Sequence, residues 1–332
     1  MTLMPAAMDN PFLLSPDQSL SSLTSPDAIT ASTHAMNVAV AKALAAITPP
    51  DGLPALREAY VRGELGLPTA PKSPRARTLM IEGPAGPIGL RILVPDEVWG
   101  VYLHIHGGGW IVGSNDTWDE QLEYFGREAG MVSVSVDYRL APEHPAPAAI
   151  DDCVAAASWL IEHAEREFGT SWLSVGGESA GSNLAVLTLL RLRDAGKGDA
   201  FRAASLLYGV FDLSLTPSVF RVTGAPFISL EAMQQFTGAF AGGRDLKDPA
   251  LSPLYADLHD LPPALFSVGS SDPLLDDSLF MFMRWQAAGN LAHLAVYPGG
   301  THGFNTLNGE LAAAGNRGVA KFLKAMRTEV AG

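Results

Sequence analysis

From about residue 78 the chain alternates short apolar runs with longer stretches whose apolar positions recur at helical spacing. Segments 78–83 (TLMIEG) and 88–94 (IGLRILV) flank a Gly-Pro turn and predict an opening antiparallel pair. Strands are then predicted at 101–106, 132–137, 172–176, 203–209, 264–269 and 292–297. Several of these runs are predominantly apolar, as expected for strands covered on both faces. Helical spacing predicts helices at 148–166, 180–194, 274–288 and 309–328, and none between the strands at 101–106 and 132–137. Such alternation predicts an α/β fold: a mainly parallel central sheet flanked by helices.

Two regions stand outside the alternation. Residues 1–75 are rich in Ser, Pro and Thr at first. They then predict an alanine-rich helix over Ala31–Ile47 and a second around Leu56–Leu65, with no strand pattern. Within 212–250, Ser229 is a candidate N-cap, and Leu230, Met233, Phe236 and Phe240 follow at helical spacing. No strand is available for that helix to serve. The two regions are read as the halves of a helical cap over an α/β domain at 76–332. The cap's Phe and Met side chains either line a pocket or glue the cap to the core.

Candidate chemistry begins at Gly177-Glu178-Ser179-Ala180-Gly181, between the strand ending near 176 and the helix beginning near 180. Gly-x-Ser-x-Gly in that setting is a nucleophile elbow, a tight turn that exposes a serine hydroxyl above the sheet. Glycines flank the serine because the reversal brings backbones too close for side chains. Upstream, His106-Gly107-Gly108-Gly109-Trp110 follows another strand. Glycine N–H groups there, with that of the residue after the serine, suit an oxyanion hole, which makes Gly108, Gly109 and Ala180 the candidate donors. A phosphate loop is disfavoured, because no Lys-Ser/Thr pair follows and the spacing is not GxGxxG.

A serine nucleophile needs a base, and the base needs an orienting acid. Asp272 lies just past the predicted strand at 264–269, and His302 lies in the glycine-rich loop after 292–297. Their order, Ser then Asp then His, is that of α/β-hydrolases. Asp276 and Asp277 compete with Asp272, but they open the next helix, where carboxylates favour the dipole. Glu178 is read as supporting the elbow from behind. Arg139 and Glu143 are expected to pair and hold their loop, His104 to be a satisfied core histidine, and His106 to brace the glycine loop. His104 and His106 share a strand face, but no further ligand type lies at metal-site spacing, so no metal is expected.

The chain resembles the bacterial hormone-sensitive-lipase family of α/β-hydrolase esterases. The resemblance rests on HGGGW at 106–110, DYRLAPEHPAPAAIDD at 137–152, GESAGSN at 177–183, SPLYADLHDLPPALFSVGSSDPLLDD at 252–277 and HGF at 302–304. It covers roughly residues 75 to 325. It implies Ser179 as nucleophile, Asp272 as acid, His302 as base, and Gly108, Gly109 and Ala180 as oxyanion donors, with no cofactor. Trp110, Phe236 and Phe240 are the candidate pocket residues. Glu178 and Trp110 depart from the Asp and Phe that many members carry at those positions. Arylformamidases also resemble the chain in HGG-x-Trp, which leaves amide hydrolysis as an alternative. Plant gibberellin receptors resemble the family without the catalytic histidine, which leaves a ligand-binding role as another.

Composition narrows the picture. A net charge of −13 argues against nucleic acid and anionic membrane surfaces as partners and leaves a small-molecule ester as the expected one. The single cysteine, Cys153, forms no intrachain disulfide and sits on a predicted apolar helix face. No run reaches transmembrane length, and the first cationic side chain is Lys42, so a cytoplasmic location is expected. An exposed edge strand at 290–297 is expected to offer a route to a homodimer.

Overall fold

The computed structural model describes residues 10–15, 19–48, 50–65, 71–221 and 228–329. Parts of the expected cap, at 1–9, 16–18, 49, 66–70 and 222–227, lie outside the described residues. Among the described residues, eight strands form one sheet: β1 (Arg77–Gly83), β2 (Gly86–Leu93), β3 (Gly100–Ile105), β4 (Met131–Val136), β5 (Leu173–Glu178), β6 (Phe201–Leu207), β7 (Ala264–Gly269) and β8 (Ala292–Tyr297). Their spatial order is β1-β2-β4-β3-β5-β6-β7-β8. β2 pairs antiparallel with both β1 and β4, and the other pairings among these eight strands are parallel. β3, β4, β5, β7 and β8 are buried along their whole length, which accounts for their predominantly apolar sequences; the few polar side chains among them, such as Ser133, Ser135 and Ser174, are buried as well.

The helices are α1 (Leu20–Thr24), α2 (Ala31–Ala45), α3 (Gly52–Val61), α4 (Asp119–Ala129), α5 (Ala148–Phe168), α6 (Ala180–Asp194), α7 (Pro217–Arg221), α8 (Leu230–Ala241), α9 (Leu275–Ala287) and α10 (Glu310–Glu329). The path from β3 through α4 to β4 steps one way along the sheet, whereas β4 through α5 to β5 steps back. Right-handed crossovers therefore put α4 and α5 on opposite faces. The reversal leaves a crevice between the carboxyl ends of β3 and β5, where open α/β sheets carry their sites. Among the described residues, no helix is long and apolar enough to cross a membrane.

Several expectations change here. Helix α4 was not predicted, although Leu122, Phe125, Gly126 and Ala129 are buried at the 3, 4 and 7 spacing of one helix face. The second N-terminal helix runs over Gly52–Val61, not 56–65, and ends just before Gly63 at φ +70°. β8 is the last strand of the sheet but not an exposed edge. Leu14 N–H donates to Leu294 O at 2.8 Å and Val296 N–H to Phe12 O at 2.9 Å. The chain's own residues 12–14 thus occupy the ladder that the edge-to-edge dimer needs. Arg139 does not pair with Glu143. Its guanidinium closes on Asp152 at 2.8 Å, and its backbone N–H donates to the same carboxylate. Glu143 instead meets Arg57 of α3.

Candidate active site

β5 ends at Glu178 and α6 begins at Ala180, so the whole reversal falls on Ser179. That residue sits at φ +56°, ψ −117°, a region that a side-chain-bearing residue occupies only under constraint from its surroundings. The constraint is visible. A Cβ at Gly177 or Gly181 would collide with the Ile105 carbonyl at the end of β3, so glycine is required on both sides. Ser182 Oγ donates to the carbonyls of Gly177 and Leu207 at 2.6 and 3.0 Å, and Ser179 N–H donates to Leu207 O at 2.9 Å. Beneath the turn, the Glu178 carboxylate lies 2.9 Å from His104 Nε2, and His104 Nδ1 lies 2.9 Å from Ser135 Oγ. All three side chains are buried. Glu178 therefore does stand behind the elbow, with His104 as its partner.

The loops after β7 and β8 bring in the acid and the imidazole. Ser270 N–H donates to Tyr297 O and Ser271 N–H to Gly300 O, binding the two loops together. His302 Nδ1 lies 3.0 and 3.1 Å from the two oxygens of Asp272, and His302 Nε2 lies 3.0 Å from Ser179 Oγ. A buried carboxylate accepts only, so Nδ1 carries the proton and Nε2 offers its lone pair to the serine hydroxyl. Leu274 N–H also donates to Asp272, at 2.8 Å. Asp276 and Asp277 do open α9, but neither merely caps it. Asp277 is fully buried and accepts from Phe211 N, Asp212 N and Thr216 Oγ1 at 2.7, 3.0 and 2.6 Å. Asp276 pairs with Arg221 of α7 at 2.9 Å. Together they tether residues 211–221 to the loop that carries Asp272. Burial pushes the Asp277 carboxyl up to about 7.

The glycine loop hangs from β3. Tyr138 stacks on His106 at 4.2 Å and donates to its carbonyl at 2.8 Å, and His106 Nδ1 donates to Gly107 O at 2.8 Å. Burial pulls the His106 imidazole down to about 3, so it stays neutral, as its bracing position requires. Gly108 sits at φ +117°, and its carbonyl accepts from Ile111 N and Val112 N. Among the described residues the N–H groups of Gly108, Gly109 and Ala180 have no protein acceptor. Gly108 and Gly109 line the same cavity as Ser179, and Ala180 directly follows that serine in the chain.

That cavity has a volume of about 710 Å³. Ser179 and His302 form part of its floor, Leu44 of α2 and Leu56 and Tyr60 of α3 line one side, and Met233 and Phe236 of α8 line another. Ser229 caps α8 as its sequence position predicts, accepting from Ala232 N–H at 3.1 Å. Phe236 lies on the glycine loop, where a Cβ at Gly109 would come within 2.8 Å of its ring. Trp110, at φ +61°, also lines the cavity. Phe240 does not. It stacks behind Trp110 at 4.5 Å, with the planes 9° apart, and so belongs to the glue between α8 and the core. Sequence reasoning missed Tyr60 and Tyr208, both of which line the cavity. An isolated tyrosine carries no spacing signal that would single it out. Among the described residues, no group of three or more His, Cys, Asp or Glu side chains is placed to hold a metal ion.

Comparison with known proteins gives the family of the fold. A family model described as the alpha/beta hydrolase fold matches residues 102–306. The chain is similar to the esterase LipI of Mycobacterium tuberculosis, at 40% identity over 69% of this chain and 74% of that one. It is similar to the solved structure of an esterase from Pyrobaculum calidifontis, with a TM-score of 0.78 and 29% identity over 89% of this chain and 99% of that one. It is also similar to the structure of an esterase from the bacterial hormone-sensitive lipase family, with a TM-score of 0.77 and 29% identity over 91% and 99% of the two chains. With the elbow, the glycine loop and the Ser179–His302–Asp272 chain all at the carboxyl edge of one sheet, the protein belongs to the α/β-hydrolase fold family, in its hormone-sensitive-lipase branch of carboxylic ester hydrolases.

Proposed function

We propose that the protein hydrolyses short- to medium-chain acyl esters of small alcohols through an acyl-enzyme on Ser179. The observation that carries this reading is the continuous contact Asp272–His302–Ser179, at 3.0 Å across each junction, beneath unpaired N–H groups. As Ser179 Oγ attacks the ester carbonyl carbon, its proton passes to His302 Nε2. Asp272 holds the imidazole in the required tautomer and stabilises its cation. The carbonyl oxygen gathers negative charge and accepts hydrogen bonds from Gly108, Gly109 and Ala180, each donor of this type contributing about 10²–10³ in rate. His302 then protonates the leaving alcohol oxygen as the C–O bond breaks. Water, deprotonated by the same nitrogen, attacks the acyl-serine, and Ser179 leaves with the proton.

The cavity size supports the chain-length range. About 710 Å³ accommodates a small ester whole, within the usual span of small-molecule sites. The two regions expected to form a cap are read here as its lids, since α2, α3 and α8 all contribute side chains to the walls. A p-nitrophenyl ester series from acetate to laurate, with wild type and Ser179→Ala, tests the reading. The expected result is Ser179-dependent cleavage with an optimum among the shorter acyl chains. No cleavage of any member, or an undiminished rate in Ser179→Ala, would overturn it.

A further inference from the structure

Arg57 and Tyr60 are three residues apart on α3 and so share one face of that helix. Arg57 pins the face to the rim of the site. Its Nε donates to Ile111 O at 2.8 Å, its Nη2 donates to Ala141 O at 3.0 Å, and its guanidinium forks onto Glu143 with two contacts of 2.8 Å. Tyr60 packs against Ile111 and Val112, which directly follow the glycine loop, and lines the cavity that holds Ser179 and His302. Its hydroxyl has no hydrogen-bond partner among the described residues. Burial and the nearby Glu178 charge push the phenol up to about 12, so it remains a neutral donor at working pH.

A half-buried hydroxyl held in place without a protein partner bonds to water or to a ligand. Beside it, Leu44, Ile47, Leu56 and Leu65 form an apolar wall with no side-chain donor. The N–H groups of the glycine loop are used by the scissile carbonyl. We propose that the Tyr60 hydroxyl is a substrate-binding donor. It selects esters that carry a second acceptor oxygen, in a hydroxy, alkoxy or acyloxy group, beyond the ester that is cleaved. The selection is physical: a bound alkyl chain leaves the hydroxyl dehydrated and unpaired, whereas an ether oxygen at the same place pairs it. This inference rests on the esterase reading and names its substrate class.

The test compares butyl butanoate with isosteres in which one methylene of either arm is replaced by an ether oxygen, for wild type and Tyr60→Phe. For at least one isostere the wild type should gain about tenfold in kcat/KM over the parent, a gain lost in Tyr60→Phe. Comparing the two proteins cancels the intrinsic reactivity of each ester. Equal isostere-to-parent ratios in the two proteins across the whole panel would overturn the proposal. Binding of the same esters to Ser179→Ala and to Ser179→Ala/Tyr60→Phe, read by fluorescence of the cavity-lining Trp110 and Trp118, makes the test independent of turnover. A preference for the isostere that vanishes with Tyr60→Phe supports the proposal, and identical preferences sink it. Loss of the esterase reading shows separately, as absence of Ser179-dependent cleavage of every ester.

Discussion

Tyr208 meets the His302 imidazole edge-on, with ring centroids 4.7 Å apart and planes at 64°, while its hydroxyl donates to Asn305 Oδ1 at 2.5 Å. One side chain thus touches the imidazole and also the loop that carries it. Asn305 is held in turn from α10, where Asn316 Nδ2 donates to Asn305 O at 3.0 Å. Tyr208→Phe keeps the ring but leaves Asn305 Oδ1 buried without its donor, at a cost of about 1–3 kcal/mol shared between stability and loop position. The expected outcome is a roughly tenfold fall in kcat with a smaller change in KM, read from steady-state kinetics on a short ester. Wild-type kcat in the variant would show that the contact is only structural.

Gly108 tests the oxyanion donors. Its φ of +117° and the Val112 carbonyl beside it leave no room for a Cβ. Gly108→Ala should displace the loop and lower kcat about 10²–10³-fold. Gly243 is the control, since it also has a positive φ but lies in open space. Gly243→Ala should destabilise modestly through backbone strain and leave kcat near wild type. Equal kinetic losses in the two variants would mean that the Gly108 effect is not local.

Asp277 carries a pH signature. Burial, with the Asp212 charge acting in the same direction, holds its folded carboxyl at about 7, above the unfolded value of about 4. Between those values the folded protein keeps a proton that the unfolded chain releases. This group therefore reduces stability as pH rises through the window, by up to about 1.4 kcal/mol per pH unit, and the loss is complete above pH about 7. Asp277→Asn removes that dependence. Urea unfolding at several pH values should show the variant gaining on wild type as pH rises from about 5 to about 7. A pH-independent difference between the two would rule out the buried proton.

Arg57 separates main-chain hydrogen bonds from an exposed ion pair. Its side chain is 29% exposed, against 51% for Glu143. Solvent screening leaves the Glu143 contact worth no more than about 0.5 kcal/mol, whereas charged donors to carbonyls contribute about 1.5–3 kcal/mol. Arg57→Met should therefore cost several times more stability than Glu143→Gln in denaturant titrations, and it alone should raise KM by loosening α3 over the cavity. Equal costs would assign the anchor to the ion pair instead.

Much of the fold was legible because strands buried on both faces are predominantly apolar. The runs at 101–106, 132–137 and 264–269 matched β3, β4 and β7 to within a residue. Helix α4 escaped because its polar residues Glu120, Glu123, Arg127 and Glu128 outweigh the narrow stripe of Leu122, Phe125 and Ala129, and Asp119 on the buried side interrupts the apolar pattern. Arg139 was matched to Glu143 because proximity in sequence was the only guide. The fold supplied Asp152 from α5, whose carboxylate is 2% exposed and takes both the guanidinium and a backbone N–H. Charge pairing has no sequence period, so it is decided by which groups the fold buries together.

The residues around Ser179 were identifiable from the chain alone because each local device needs a particular residue at a fixed offset. Glycines must flank the elbow where β3 passes close by, and glycines must lead away from β3 where N–H groups have to stay bare. Those requirements are short-range, so they leave a readable pattern. Other matters were decided only in three dimensions: the cover that residues 12–14 lay over β8, the retreat of Phe240 behind Trp110, and the entry of Tyr60 and Tyr208 into the cavity. These contacts join segments far apart in the chain. They depend on how whole elements pack, and no local spacing encodes that.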